Sequence, residues 1–368
     1  MKISQNLNLW AGKKAFAQIK DNGLTPDDVK VVAGAAGGPK WLILANLDRA
    51  VFSQWFAGRK APLFLIGSSI GAWRFAAAAQ KDHLSAIDRF QDAYIHQTYD
   101  KKPTPADVSR ESQKILNRMM EIDSETDILC HPYLRLNIMS VRSKGMTGQD
   151  KKNSLVPGLL LAAIGNAVSR RFLKLFFERT LFHDTRNLPP FYDMNEFPIH
   201  RVGLSTKNLK PALMASGSIP LIMSGVKNIS GAPAGVYRDG GVIDYHLDIP
   251  FLNDNSGIVL YPHFTNRIIP GWLDKQLPWR QPDMAHMDNV LLVTPSREFL
   301  DRLPYRKIPD RNDFYKFKGQ DEKRISYWNT AVDLGANMSN EFMESVDSGR
   351  IRERVQPIEK MINQKHQL

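Results

Sequence analysis

Gly67-Ser68-Ser69-Ile70-Gly71 follows an apolar run, Pro62 to Ile66, and precedes an alanine-rich segment, Ala72 to Gln80. A G-x-S-x-G between a strand and a helix makes a sharp turn, and its flanking glycines remove Cβ atoms that would clash there. The turn lifts Ser69 Oγ clear of the sheet at the positive end of the following helix dipole, where a hydroxyl can act as a nucleophile. So short a motif arises often by chance, and a plain Gly/Ser turn is the bland alternative. The strand before it and the helix after it favour the nucleophile.

A second glycine-rich turn, Gly34-Ala35-Ala36-Gly37-Gly38-Pro39-Lys40, also lies between an apolar run and a helical pattern. A phosphate-cradling P-loop needs G-x-x-x-x-G-K-[ST]; here Lys40 follows Pro39 and precedes Trp41, so neither the spacing nor the magnesium-binding hydroxyl is present. The dinucleotide fingerprint G-x-G-x-x-G is also not matched. What remains is a loop of exposed backbone N–H groups able to hold an oxyanion, weighed against a simple tight turn. Far downstream, Asp239-Gly240-Gly241 offers a carboxylate where the backbone can approach another loop closely. D-G-G alone is a common turn, but a nucleophilic serine needs a proton acceptor, and Asp239 is a candidate for it. His246 and His263 are the alternative bases, as in a Ser-His-Asp arrangement; neither sits in an informative motif.

These turns need elements to hold them. Val29 to Ala33 is β-branched and apolar and reads as a strand, and Trp41 to Phe56 repeats apolar residues at helical spacing. Strand, glycine turn, helix, strand, tight turn, helix is the pattern of a layered α/β fold with parallel strands. The opening residues to Asn22 read as partly helical, and Ala86 to Ile128 as helical throughout. Tyr133 to Val141 alternates, predicting a strand with one polar face. Further strands are predicted at Phe197 to Leu204, Val236 to Tyr237, Gly257 to Tyr261 and Asn289 to Val293, with helices over roughly the last fifty residues. No internal repeat or linker stands out. The expectation is one domain over 1–368, with a catalytic core at about 30–300 and a helical C-terminal segment at about 320–368.

With 368 residues, 43% hydrophobic and 24% charged, the chain can bury a large core. That excludes disordered, collagen-like and disulfide-stapled classes. Cys130 is the single cysteine and cannot pair within the chain, so no oxidising compartment is needed and a cytoplasmic protein is expected. No signal peptide or membrane-spanning run is read; the longest apolar stretch, Leu155 to Ile164, contains Pro157 and Gly158. The net charge of +11 favours an anionic partner such as a phospholipid surface, nucleic acid or an acidic substrate.

Taken together, the glycine loop, G-x-S-x-G, Ala215-Ser216-Gly217-Ser218-Ile219-Pro220 and Asp239-Gly240-Gly241 resemble the patatin-like phospholipase family. The first three resemble its oxyanion loop, nucleophile elbow and A-S-x-A-I-P segment, and the resemblance spans roughly Val31 to Asp244. It implies a three-layer α/β/α patatin-like sandwich with a mostly parallel central sheet and helical insertions, carrying a Ser-Asp dyad. Ser69 would attack an acyl carbonyl and Asp239 would take its proton. Backbone N–H groups of Gly37 and Gly38, with that of Ile70, would form the oxyanion hole, and Gly67, Gly71, Gly240 and Gly241 would be the motif glycines. The family loop usually reads D-G-G-G-x-R-G. Here Lys40 stands in the arginine's place, a compact point charge without the guanidinium fork. Ser218 replaces the family's second alanine in A-S-x-A-I-P.

The implied activity is a serine acyl hydrolase on lipid esters, most plausibly phospholipids, through an acyl-enzyme and with no cofactor. Two alternatives stand beside it: a non-lipid esterase or thioesterase, and a membrane-binding protein with a decayed site. Val168, Phe172, Leu175 and Phe176, with Arg170, Arg171, Lys174 and Arg179, read as one basic amphipathic helix, either a lid, a peripheral contact with anionic membranes, or a core helix with a solvated face. Nucleic-acid binding and metal sites find no motif.

Overall fold

The computed structural model describes residues 5–99, 102–253 and 256–363. Eleven strands join in one sheet: β1 (Leu7–Ala11), β2 (Val29–Gly34), β3 (Leu63–Ser68), β4 (Leu134–Ser143), β5 (Phe177–His183), β6 (Ile199–Gly203), β7 (Val226–Lys227), β8 (Val236–Asp239), β9 (Ile258–Pro262), β10 (Val290–Pro295) and β11 (Gln356–Pro357). Their order is β11-β1-β10-β9-β2-β3-β4-β5-β6, with β8 attached to β4 and β7 to β8. From β10 through β9, β2 and β3 to the first half of β4, every pairing is parallel. β1 against β10, β5 and β8 against β4, and β7 against β8 are the antiparallel pairings.

Successive strand residues face opposite sides, so a strand buried at consecutive positions must be covered on both faces. β9 and β10 are buried throughout, and β2 and β3 nearly so. Helices supply that cover on both sides, giving a three-layer α/β/α fold. The long helix Asp321–Asp347 crosses the segment Gly38–Ala50, where Gly335 lies against the backbone of Ile43. The helix Ile70–Ala78 is buried at every position.

That helix carries a charge into the core. Arg74 donates to both carboxylate oxygens of Asp48 at 2.6 and 2.7 Å, with both side chains almost wholly out of water. A second tie runs from the indole N–H of Trp73 to the carbonyl of Leu213, at 2.7 Å, in the helix Leu209–Gly217. The turn that precedes Ile70 is therefore anchored from the helix side.

Two expectations are refined and one is corrected. The chain start holds β1 before its helix, Lys13–Asn22. The polar face of β4 is kept from water: Arg135 donates to Asn187 and backbone carbonyls, and the Asn137 side-chain amide donates to the carbonyls of Leu65 and Arg135 while its Oδ1 has no partner among the described residues. The proposed amphipathic helix through residues 168–179 is not formed. The helix Lys152–Val168 stops at the extended Ser169, a short 3-10 turn covers Arg170–Leu175, and β5 follows. Pairing with β4 overrides local helical spacing there, because Phe177, Leu181 and Phe182 gain burial in the sheet. Arg179 is correspondingly internal, bonded to Asp244 and Glu196.

Removing one partner of a buried ion pair strands the other charge, so Asp48→Ala is expected to lower the unfolding free energy by about 3–5 kcal/mol. Asp48→Ala/Arg74→Met should recover part of that loss, read from urea denaturation midpoints at unchanged m-value.

Candidate active site

The length difference between β3 and β4 builds the site. β3 ends with Ser68 opposite Met139. The next residue of β4, Ser140, is opposite Asp239, because β8 runs in from the other end as an antiparallel partner. β5 occupies the opposite edge of β4 over Asn137–Ser143. β3 and β8 thus meet end to end along one edge of β4, and the residue that follows β3 faces the residue that ends β8.

Those residues are Ser69 and Asp239. Ser69 Oγ donates to Asp239 Oδ2 at 2.7 Å, with the two residues 4% and 5% exposed. The other carboxylate oxygen, Oδ1, accepts from the backbone N–H of Gly241 at 2.7 Å. Asp239 N–H donates to the carbonyl of Ser218 at 2.9 Å. Ser69 has φ 56° and ψ −126°, a region a non-glycine residue occupies only when its surroundings impose it. The surroundings here are visible. Ser69 N–H donates to Ser216 Oγ at 2.8 Å, and that hydroxyl donates to Met139 O at 2.6 Å. A Cβ on Gly71 would lie 2.0 Å from the carbonyl oxygen of Gly34, so the elbow packs on the glycine loop only with glycine there.

The segment 215–220 therefore holds both partners, through the Ser216 hydroxyl and the Ser218 carbonyl. Gly67 lies within β3, one residue before Ser68, and Gly240 and Gly241 form the turn after β8. Gly37 precedes, and Gly38 opens, the 3-10 helix Gly38–Leu44; Gly38 has φ 56°. Ile70 opens the helix after the elbow.

A cavity of about 220 Å³ stands over this pair, its lining including Ser69, Asp239, Gly37, Gly38 and Lys40. Ile70 adjoins Ser69 without lining it. The cavity also takes in Tyr245, Trp272, Lys275 and Arg311, which no motif flagged. Lysines and arginines are frequent in this chain, and only the fold brings these to one cavity.

Burial sets the electrostatics. It raises the Asp239 carboxyl above its ordinary value, against the Ser69 hydrogen bond and the positive charge of Arg311, which oppose the rise. Burial lowers the Lys40 ammonium, with Asp310 opposing and Arg311 and Lys307 assisting. Lys275 is pushed down to about 7 by burial and by the charges of Lys40 and Arg311.

His246 and His263 take no part in this arrangement. Both are fully buried, their ring centroids 4.3 Å apart, and their Nδ1 atoms sit against backbone groups of Arg267, Ile269 and Thr265. Neither lines the cavity. Among the described residues, no group of three or more His, Cys, Asp or Glu is placed to hold a metal ion.

No protein-family model and no curated protein matches the chain. Among solved structures it is similar to VipD from Legionella pneumophila, at 12% identity over 94% of this chain and 71% of VipD, with a TM-score of 0.36.

A carboxyl raised by folding binds its proton more tightly in the native state, so its contribution to stability is present at low pH and is lost as pH rises through the raised value. Urea unfolding across the acidic range should show that loss in the wild type and a flatter response in Asp239→Asn.

Proposed function

We propose that the chain is a serine acyl hydrolase acting on lipid esters, with Ser69 as nucleophile and Asp239 as its base. The observation that carries the reading is the buried 2.7 Å bond from Ser69 Oγ to Asp239 Oδ2 at a left-handed elbow opening on a cavity. Ser69 Oγ attacks the acyl carbonyl carbon while its proton passes to Asp239. The tetrahedral intermediate collapses, the ester C–O bond breaks, and Asp239 returns the proton to the leaving alcohol oxygen. Water then repeats the sequence on the acyl-enzyme, releasing the fatty acid and restoring Ser69.

The oxyanion would be held by backbone N–H groups of Gly37, Gly38 and Ile70. Gly38 and Ile70 stand at the first positions of their helices, where an N–H has no intrahelical acceptor. Such donors act on charge that develops only in the transition state.

A lipid substrate is supported by the resemblance of the ordered motifs to patatin-like phospholipases and by one surface feature. Leu160, Leu161, Ile164 and Val168 of the helix Lys152–Val168 are exposed, as are Phe172 and Leu175 after it. Exposed Lys151, Lys152, Arg171 and Lys174 border them. An apolar strip with a cationic border suits peripheral contact with an anionic bilayer. Among the described residues no helix is long and apolar enough to cross a membrane.

A fluorophosphonate should add once to the wild type and not to folded Ser69→Ala, read by intact mass. Asp239→Ala should slow ester hydrolysis by about 10²–10⁴-fold. Hydrolysis by folded Ser69→Ala at a rate near wild type would sink the assignment. Turnover of vesicle lipid above that of monomeric short-chain esters is expected, and the reverse preference would favour a non-lipid esterase.

Binding to vesicles containing phosphatidylserine should weaken in Leu160→Asp/Leu161→Asp, while fluorophosphonate labelling persists. Sedimentation with the vesicles measures it.

A further inference from the structure

The Ser69 cavity is crowded with positive charge that catalysis at an ester does not require. Lys40, Lys275 and Arg311 all line it, and the carboxylates among its lining residues are Asp239 and Asp310. Asp239 is committed to Ser69 and Gly241, and Asp310 is paired with Lys307 at 3.0 Å. Among the described residues, none of the three cations lies within salt-bridge distance of a carboxylate. Lys275 Nζ instead lies 3.9 Å from the Tyr245 ring centroid, and Lys40 Nζ lies 5.0 Å from that of Phe264. Arg311 reaches over the glycine loop, its Nε 3.1 Å from where a Cβ on Gly38 would sit.

The three come from separate parts of the chain: the glycine loop, the 3-10 turn Trp272–Gln276, and the segment after Asp310. Like charges around one cavity repel, and that repulsion is part of what holds the half-buried Lys275 ammonium down to about 7. Asp310 offsets part of the charge on Lys40 and Asp239 part of that on Lys275, neither within salt-bridge distance, and a bound anion would relieve the rest. An arginine beside two lysines matches a tetrahedral oxyanion, which the guanidinium takes in a fork and the ammonium groups as point charges.

We propose that Lys275, Arg311 and Lys40 form a subsite for a phosphate-class anion within the Ser69 cavity, and that the anion is carried by the ester being cleaved. The subsite rests on the acyl-hydrolase reading for its substrate and stands apart from it as an anion site. It makes Lys275 and Arg311 specificity-determining: an acyl ester with a phosphoryl group close to the scissile carbonyl is held with that carbonyl at Ser69. Because Lys275 faces Lys40, Arg311, Asp239 and the Tyr245 ring, its charge is the one that mildly alkaline solution removes.

The test separates the two claims. Inorganic sulfate keeps its charge across neutral pH, so its affinity for folded Ser69→Ala, measured by calorimetry, reports the subsite without catalysis. Sulfate should bind, weaken as pH rises through about 7, and lose about tenfold in affinity on adding Lys275→Gln or Arg311→Gln. The pH dependence should disappear with Lys275→Gln. In the nucleophile-intact protein, the ratio of kcat/KM for dibutyryl-glycerol-3-phosphate over dibutyrylglycerol should fall about tenfold in each variant. Absence of sulfate binding, or binding indifferent to both substitutions, overturns the subsite whatever Ser69 does to esters. Sulfate binding without hydrolysis of either ester leaves the subsite standing and removes the hydrolase reading. Sulfate binding with an unchanged ratio makes the ligand a free anion and overturns the substrate assignment.

Discussion

β4 extends beyond the point where β3 stops, and the site depends on how that remaining edge is used. A parallel strand that ended with its neighbour would leave the unpaired N–H and C=O groups of Ser140–Ser143 to be satisfied by something else. β8 satisfies them by arriving antiparallel, and its last residue is a carboxylate. One continuous ladder therefore sets the separation of two side chains that are 170 positions apart in the chain. No loop has to hold the distance between Ser69 and Asp239; strand spacing does.

The same constraint explains why the neighbourhood of Ser69 is built from small residues and hydroxyls. A turn this tight leaves Gly71 against the Gly34 carbonyl. The amide of Ser69, turned away from any helix or strand partner, needs an acceptor inside the protein. Ser216 provides it and passes the bond to Met139, the β4 residue opposite the end of β3. The left-handed geometry of Ser69 is thereby tied back to the strand that also registers Asp239. Strain at one residue persists because its surroundings over-determine it.

Much of this is legible before folding. The strand–turn–helix pattern around Gly37 and Ser69 identifies the layered fold, since β2, β3, β9 and β10 are short apolar runs bounded by glycine or polar turns. The pair Ser69 and Asp239 is legible because each lies in a glycine motif whose chemistry is local. Residues 168–179 are misread for the opposite reason. Their periodicity is ambiguous, and the partner that decides between helix and strand, β4, lies more than thirty residues upstream. The cations of the cavity are illegible on different grounds: Lys275 and Arg311 sit in irregular segments with no spacing rule, among 49 lysines and arginines, and only their convergence distinguishes them.

That convergence bears on the glycine loop itself. By resemblance the loop would carry an arginine where Lys40 stands, and a lysine cannot reproduce a planar fork. Arg311 brings a guanidinium to the space a Cβ on Gly38 would enter, from a segment some 270 residues later in the chain. Lys40, relieved of that geometry, lies toward the Phe264 ring and adds its charge to the cavity. A guanidinium from outside every motif thus lies beside the loop together with the Lys40 ammonium. A site that needed only to hold a transient oxyanion through backbone donors would have no use for the second cation. A site that must also grip a permanent anion beside it does, and the half-buried positions of Lys40 and Lys275 keep solvent from screening that grip.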